Sequence, residues 1–89
     1  MLQFPKTVMM SKVDNEYVLM DTRNGEYYGL NATGTKMVEL LFEHQDRDTV
    51  VSIMVETYDA PMEQIRADLE NLLKELRERK LIKEKKGDR

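Results

Sequence analysis

Residues that could carry covalent or metal chemistry are sparse in this chain. Cysteine is absent, which removes disulfides, thiolate nucleophiles and cysteine-bound zinc together. The single histidine, His44, falls near an expected helix end and reads as a surface or capping residue. Carboxylates are plentiful but scattered over charged helical stretches, and Glu63, Glu70, Glu75 and Glu78 have Lys or Arg nearby in sequence. No glycine-rich phosphate loop accompanies them, so no catalytic constellation is assembled and no enzyme, metal or cofactor is expected. What remains are features suited to binding: Tyr27-Tyr28 beside Gly29, a leucine stripe from Ile65 to Leu76, and seven methionines. Each also has a plain packing role, since methionine commonly fills irregular gaps in a core.

These residues must be positioned by a small scaffold. Eighty-nine residues suffice for one domain with a modest core. A hydrophobic content of 40% with 35% charged residues fits a soluble globular protein. No apolar run approaches the roughly 18 to 20 residues that span a membrane. Met1 to Lys6 has no charged segment leading into an apolar stretch, so no secretion signal is expected and the cytoplasm is the plain location. The net charge of −3 is unevenly spread. Residues 1–73 hold six Lys/Arg against thirteen Asp/Glu, whereas residues 74–89 hold eight against four. An acidic body argues against general nucleic-acid binding, where phosphate attraction dominates. The basic end suits a solvated helix C-terminus.

Local signals predict the order β-β-β-α-α-α. Thr7–Val13 and Glu16–Asp21 read as strands joined by Asp14-Asn15, and Asn24-Gly25 marks the turn into a third strand, Glu26–Leu30. Asn31 is a candidate N-cap for a first helix that carries Met37, Val38, Leu40, Leu41 and Phe42 and stops near His44-Gln45. Asp46 or Asp48 caps a second helix, with Val50, Val51, Ile53, Met54, Val55 and Tyr58 expected to face inward. Ala60-Pro61 opens the third, whose Ile65, Leu69, Leu72 and Leu76 form the main apolar stripe, widened by Leu73. Gly87 follows too late to mark the end of that helix.

The segment Val18-Leu19-Met20-Asp21-Thr22-Arg23-Asn24-Gly25-Glu26-Tyr27-Tyr28-Gly29-Leu30-Asn31 resembles the most recognisable stretch of PqqD-like proteins, the RiPP recognition elements. A hydrophobic strand ending in Asp, a G-x-Y-Y-type strand and a Leu-Asn step into a helix follow there in the same order. The helical half is similar as well, in Asp48-Thr49-Val50, Tyr58-Asp59, Asp68-Leu69, Leu72-Leu73-x-x-Leu76 and Lys80-Leu81-Ile82. Lys80 stands where the family usually has Gly. The Tyr27-Tyr28-Gly29-Leu30-Asn31 version looks closest to the stand-alone leader-binding proteins of lasso-peptide pathways, often called B1 proteins.

The resemblance implies an α+β, winged helix-turn-helix-like fold, with a single recognition domain over residues 1–89. A β-meander would occupy 7–30, three helices 31–82 and a polar tail 83–89. It further implies that the third strand accepts the leader of a ribosomally made precursor peptide as an antiparallel fourth strand. Glu26, Tyr27, Tyr28, Gly29 and Leu30 would bind the leader on one side, and Asp68, Leu69, Leu72, Leu73 and Leu76 on the other. Alternation pairs Tyr28 with Leu30 as core candidates and leaves Tyr27 free to border the groove. Asp68, Lys74 and Arg77 would meet leader charges. The implied partners are a leader peptidase and an ATP-dependent cyclase in a lasso pathway, or a radical-SAM enzyme for a peptide chaperone in pyrroloquinoline quinone synthesis. Two readings of other classes stay open. One is a winged-helix DNA-binding domain, although Thr49 to Tyr58 lacks Lys and Arg. The other is a structural subunit that only scaffolds enzymes.

Overall fold

The structure, a computed structural model, describes residues 1–84. Its elements in order are β1 (Leu2–Gln3), β2 (Val8–Val13), β3 (Glu16–Asp21), β4 (Glu26–Gly29), α1 (Ala32–His44), α2 (Arg47–Tyr58), α3 (Met62–Glu78) and β5 (Lys83–Glu84). β2, β3 and β4 form the expected antiparallel meander, with β4 in the place of the third strand. Leu19 lies opposite both Met10 and Tyr28, and Met20 opposite both Met9 and Tyr27.

The two hairpins turn by different means. Asp14 and Asn15 both have positive φ, 51° and 67°, which gives β2–β3 a two-residue turn whose twist matches its strands. Asn24-Gly25 instead closes a longer loop. Only Gly25 has positive φ there, and its N–H, like that of Asn24, donates to the Asp21 carbonyl. The Asp21 carboxylate braces this loop by accepting two bonds from the Arg23 guanidinium, at 2.9 and 2.7 Å. Arg23 holds the Asp21 carboxyl below its ordinary range.

Helix ends follow their local chemistry. Asn31 Oδ1 accepts from the Gly34 N–H at 2.8 Å, so the expected cap of α1 forms. Gln45 closes the same helix in the left-handed conformation, and its side chain has a second use. The Gln45 carboxamide accepts from the Leu2 N–H at 2.7 Å and donates to the Leu2 carbonyl at 3.3 Å. It thereby acts as a partner for β1, which also pairs with β5 through Leu2–Glu84 and Gln3–Lys83. That second, two-stranded sheet has no counterpart in the sequence reading. Lys83 and Glu84, expected in a polar tail, belong to it, and the rest of that expected tail, including Gly87, lies outside the described residues.

One core joins the layers: Leu19 and Leu30 from the sheet region, Met37, Val38 and Leu41 from α1, Val50, Val51 and Met54 from α2, and Ile65, Leu69, Leu73 and Leu76 from α3. Two expectations need correction. Tyr58, expected inward, is 42% exposed at the last turn of α2. On α3 it is Leu73, 1% exposed, that completes the core stripe, while Leu72 is only partly buried at its edge. The helix is rotated so that the stripe centres between Leu69 and Leu73. Among the described residues, no helix is long and apolar enough to cross a membrane.

Candidate functional site

The site begins at the free edge of β4. The Leu30 N–H donates to the Tyr17 carbonyl at 2.9 Å. In an antiparallel ladder, main-chain groups alternate between facing the neighbouring strand and facing away. With the register Val18–Gly29, Leu19–Tyr28 and Met20–Tyr27, Tyr28 shares the inward phase of Leu30. Tyr27 and Gly29 therefore direct their N–H and C=O groups away from β3, onto an edge that no strand among the described residues covers. A Cβ placed at Gly29 would meet nothing within 4 Å. Among the described residues, the edge is open to another backbone.

Side chains alternate in the opposite sense. Tyr28, half-buried opposite the fully buried Leu19, and Leu30, 4% exposed, lie on the helix-facing side, as alternation predicted. Tyr27 is 70% exposed beside Met20 and Met9 on the other face.

Across from this edge runs α3, and a bridge of three side chains links the two. The Arg79 guanidinium lies over the Tyr28 ring, 4.9 Å from its centroid, and pairs with Glu75 at 3.4 Å. Burial pushes the Tyr28 hydroxyl up, and the neighbouring Glu75 carboxylate adds to that. A cavity opens at each end of the bridge. One, of about 170 Å³, is lined by Asp21, Asn24, Glu26, Tyr27, Tyr28, Arg79 and Leu81. The other, of about 390 Å³, is lined by Asn31, Thr33, Gly34, Met37, Asp68, Leu72 and Glu75. Together they make a groove along β4 and α3.

The ten expected site residues divide in two. Glu26, Tyr27, Tyr28, Asp68 and Leu72 line the groove, and Gly29 supplies its open edge. Leu30, Leu69, Leu73 and Leu76 are at most 4% exposed, so they support the groove from below and present little surface to it. Lys74 and Arg77 line neither cavity, and Arg77 instead acts on Glu84 of β5. Glu75 and Arg79 were missed, although spacing held the signal: positions 68, 72, 75 and 79 recur every three or four residues and share one helix face.

The end of α3 is itself part of the site. Leu81 N–H donates to the Leu76 carbonyl at 2.8 Å and Lys80 N–H to the Arg77 carbonyl at 2.9 Å, the paired bonds of a Schellman cap. The motif requires a left-handed residue, and Lys80 takes that role at φ 60°. It buries Leu81, which lines the smaller cavity. Arg23 Nη2 reaches the Lys80 carbonyl at 3.4 Å and ties the β3–β4 loop to the helix end. No group of three or more His, Cys, Asp or Glu able to hold a metal occurs among the described residues.

Comparison with known proteins adds to this geometry. The solved structure of TbiB1 in complex with the TbiA(beta) leader peptide matches with a TM-score of 0.82 and 25% identity, covering 96% of this chain and 99% of that one. A lasso peptide synthetase B1 complexed with the leader peptide shares the fold at a TM-score of 0.86 and 23% identity, covering 93% and 98%. No curated protein matches the chain. The family model described as coenzyme PQQ synthesis protein D (PqqD) matches residues 16–82, most of the length, and the chain belongs to that family.

Proposed function

We propose that this protein binds the leader region of a ribosomally synthesised precursor peptide and delivers it to separate processing enzymes, doing no catalysis itself. The observation that carries this reading is the open edge of β4, where Tyr27 and Gly29 present main-chain groups that no described residue pairs, beside a groove walled by α3. An extended peptide added antiparallel to β4 would gain register and affinity from backbone bonds, and specificity from the two cavities. The likeness to two proteins solved with leader peptides bound supports a lasso-peptide pathway. In such a pathway a leader peptidase and an ATP-dependent cyclase would be the partners. The family match leaves peptide chaperoning for a radical-SAM enzyme in pyrroloquinoline quinone synthesis as the second reading.

Titration of a fluorescein-labelled synthetic lasso-precursor leader tests the proposal against a scrambled leader of the same composition. Saturable, sequence-dependent binding is the expected result. Equal binding of both peptides, or of neither by protein shown to be folded, would refute it.

A further inference from the structure

The groove is charged unevenly, and the imbalance is local. The larger cavity has apolar walls in Met37 and Leu72, carboxylates in Asp68 and Glu75, and no Lys or Arg among its lining residues. Glu75 is already engaged by Arg79 at 3.4 Å. Asp68 receives one hydrogen bond, from the neutral Gln64 amide at 3.0 Å, and no cation among the described residues pairs with it. The start of α1 also borders the cavity. Its dipole is worth about half a positive charge, and its Gly34 N–H is already capped by Asn31. The unpaired carboxylate is the larger quantity.

Register decides which ligand side chain arrives there. In a strand added antiparallel to β4, residues opposite Leu30, Tyr28 and Glu26 share one face and point toward α3. Running toward the ligand's C-terminus, the first stands over the larger cavity. The second, two places on, meets the Tyr28–Glu75–Arg79 bridge. The third, two further, reaches the smaller cavity. The first of these immediately precedes the residue hydrogen-bonded to Gly29.

Resting on the leader-docking reading, we infer that this first residue is a lysine or arginine, and that Asp68 determines the preference. Its methylene stem lies along Met37 and Leu72 while its charge meets the Asp68 carboxylate. A purely aliphatic side chain would fill the same space but withdraw water from Asp68 without replacing it.

A displayed library of random twelve-residue peptides, selected on the full-length protein, provides the test. N-methylation of each backbone position in an enriched peptide marks the alternate residues bonded to β4, the most N-terminal of which lies opposite Gly29 and so fixes the register. Lys, Gln and Glu are then compared at the preceding position by titration. Lys is expected to bind about threefold to fivefold better than Gln at low salt, the range of an exposed ion pair. That advantage should vanish in Asp68→Asn and turn into a preference for Glu in Asp68→Lys, with melting temperature unchanged in both. Peptides that lose binding in Gly29→Pro yet show no basic preference, or one unchanged in Asp68→Asn, would overturn this inference and leave strand docking intact. Failure to enrich any peptide, or enrichment indifferent to Gly29→Pro, would overturn both.

Discussion

Proline at two adjacent positions of β4 separates the edge that holds the fold together from the edge left open. Gly29 directs its N–H away from β3, whereas Tyr28 directs its N–H toward Leu19. Gly29→Pro therefore deletes a donor that the fold does not use, at a site where an added Cβ meets nothing within 4 Å. Proline is tolerated on an edge strand in that orientation. The folding cost should stay below about 1 kcal/mol, limited to adjusting φ toward the proline value. The binding cost is larger. One main-chain hydrogen bond is worth about 0.5–1.5 kcal/mol net, and the ring also holds the incoming strand off its neighbours. A rise in Kd of about tenfold or more is expected, since each 1.4 kcal/mol is tenfold. Tyr28→Pro removes a ladder bond and a half-buried ring, and should cost about 3 kcal/mol or more of stability. Fluorescence titration of the labelled leader gives Kd, and urea unfolding gives stability, with Gly29→Ala as a control that keeps the donor. If Gly29→Pro binds like the parent, or destabilises as much as Tyr28→Pro, the assignment of the β4 edge is wrong.

Other expectations follow from burial, backbone and charge. Leu73→Ala should destabilise by about 2–5 kcal/mol through a core cavity, whereas Leu72→Ala should cost less stability in urea yet weaken leader binding, since Leu72 lines the groove. Lys80→Gly should raise stability by about 0.5–1 kcal/mol, because glycine occupies the left-handed cap without the Cβ penalty but loses more chain entropy. A lower urea midpoint would contradict the Schellman assignment. Stability should fall as the solution is acidified. Arg23 holds the Asp21 carboxyl below its ordinary value, and Lys12 and then Tyr17 do so for Glu39. Stabilisation from a depressed carboxyl is complete above its unfolded pKa, near 4, and is lost as pH drops through the folded value. Melts between pH 7 and pH 2.5 should show this loss, with a shallower slope in Asp21→Asn. An equal slope in that variant would remove Asp21 from the explanation.

Much of the architecture was written locally. Strand alternation in Glu16–Asp21 and Glu26–Gly29, the Asn31 cap and the periodic leucines of α3 each act over a few residues, so their signals survive in one dimension. The same alternation placed Tyr28 and Leu30 toward the helices and Tyr27 outside, because side chains in a strand can only face one of two ways.

A helix offers no such binary choice. Neighbouring positions differ by about 100°, so a small rotation decided that Leu73 enters the core and Leu72 borders the groove. The same rotation turned Arg79 and Glu75 toward Tyr28 and left Lys74 and Arg77 outside. That rotation is set by how α3 packs on α1 and α2 together, a condition no stretch of α3 contains. The pairing of β1 with β5, braced by Gln45, likewise joins residues from both ends of the described chain. Two-residue strands carry almost no periodicity of their own. Strand order in a meander leaves two edges, β2 and β4, and only the family resemblance singled out the later one; the packing of three helices decided which side chains would face it.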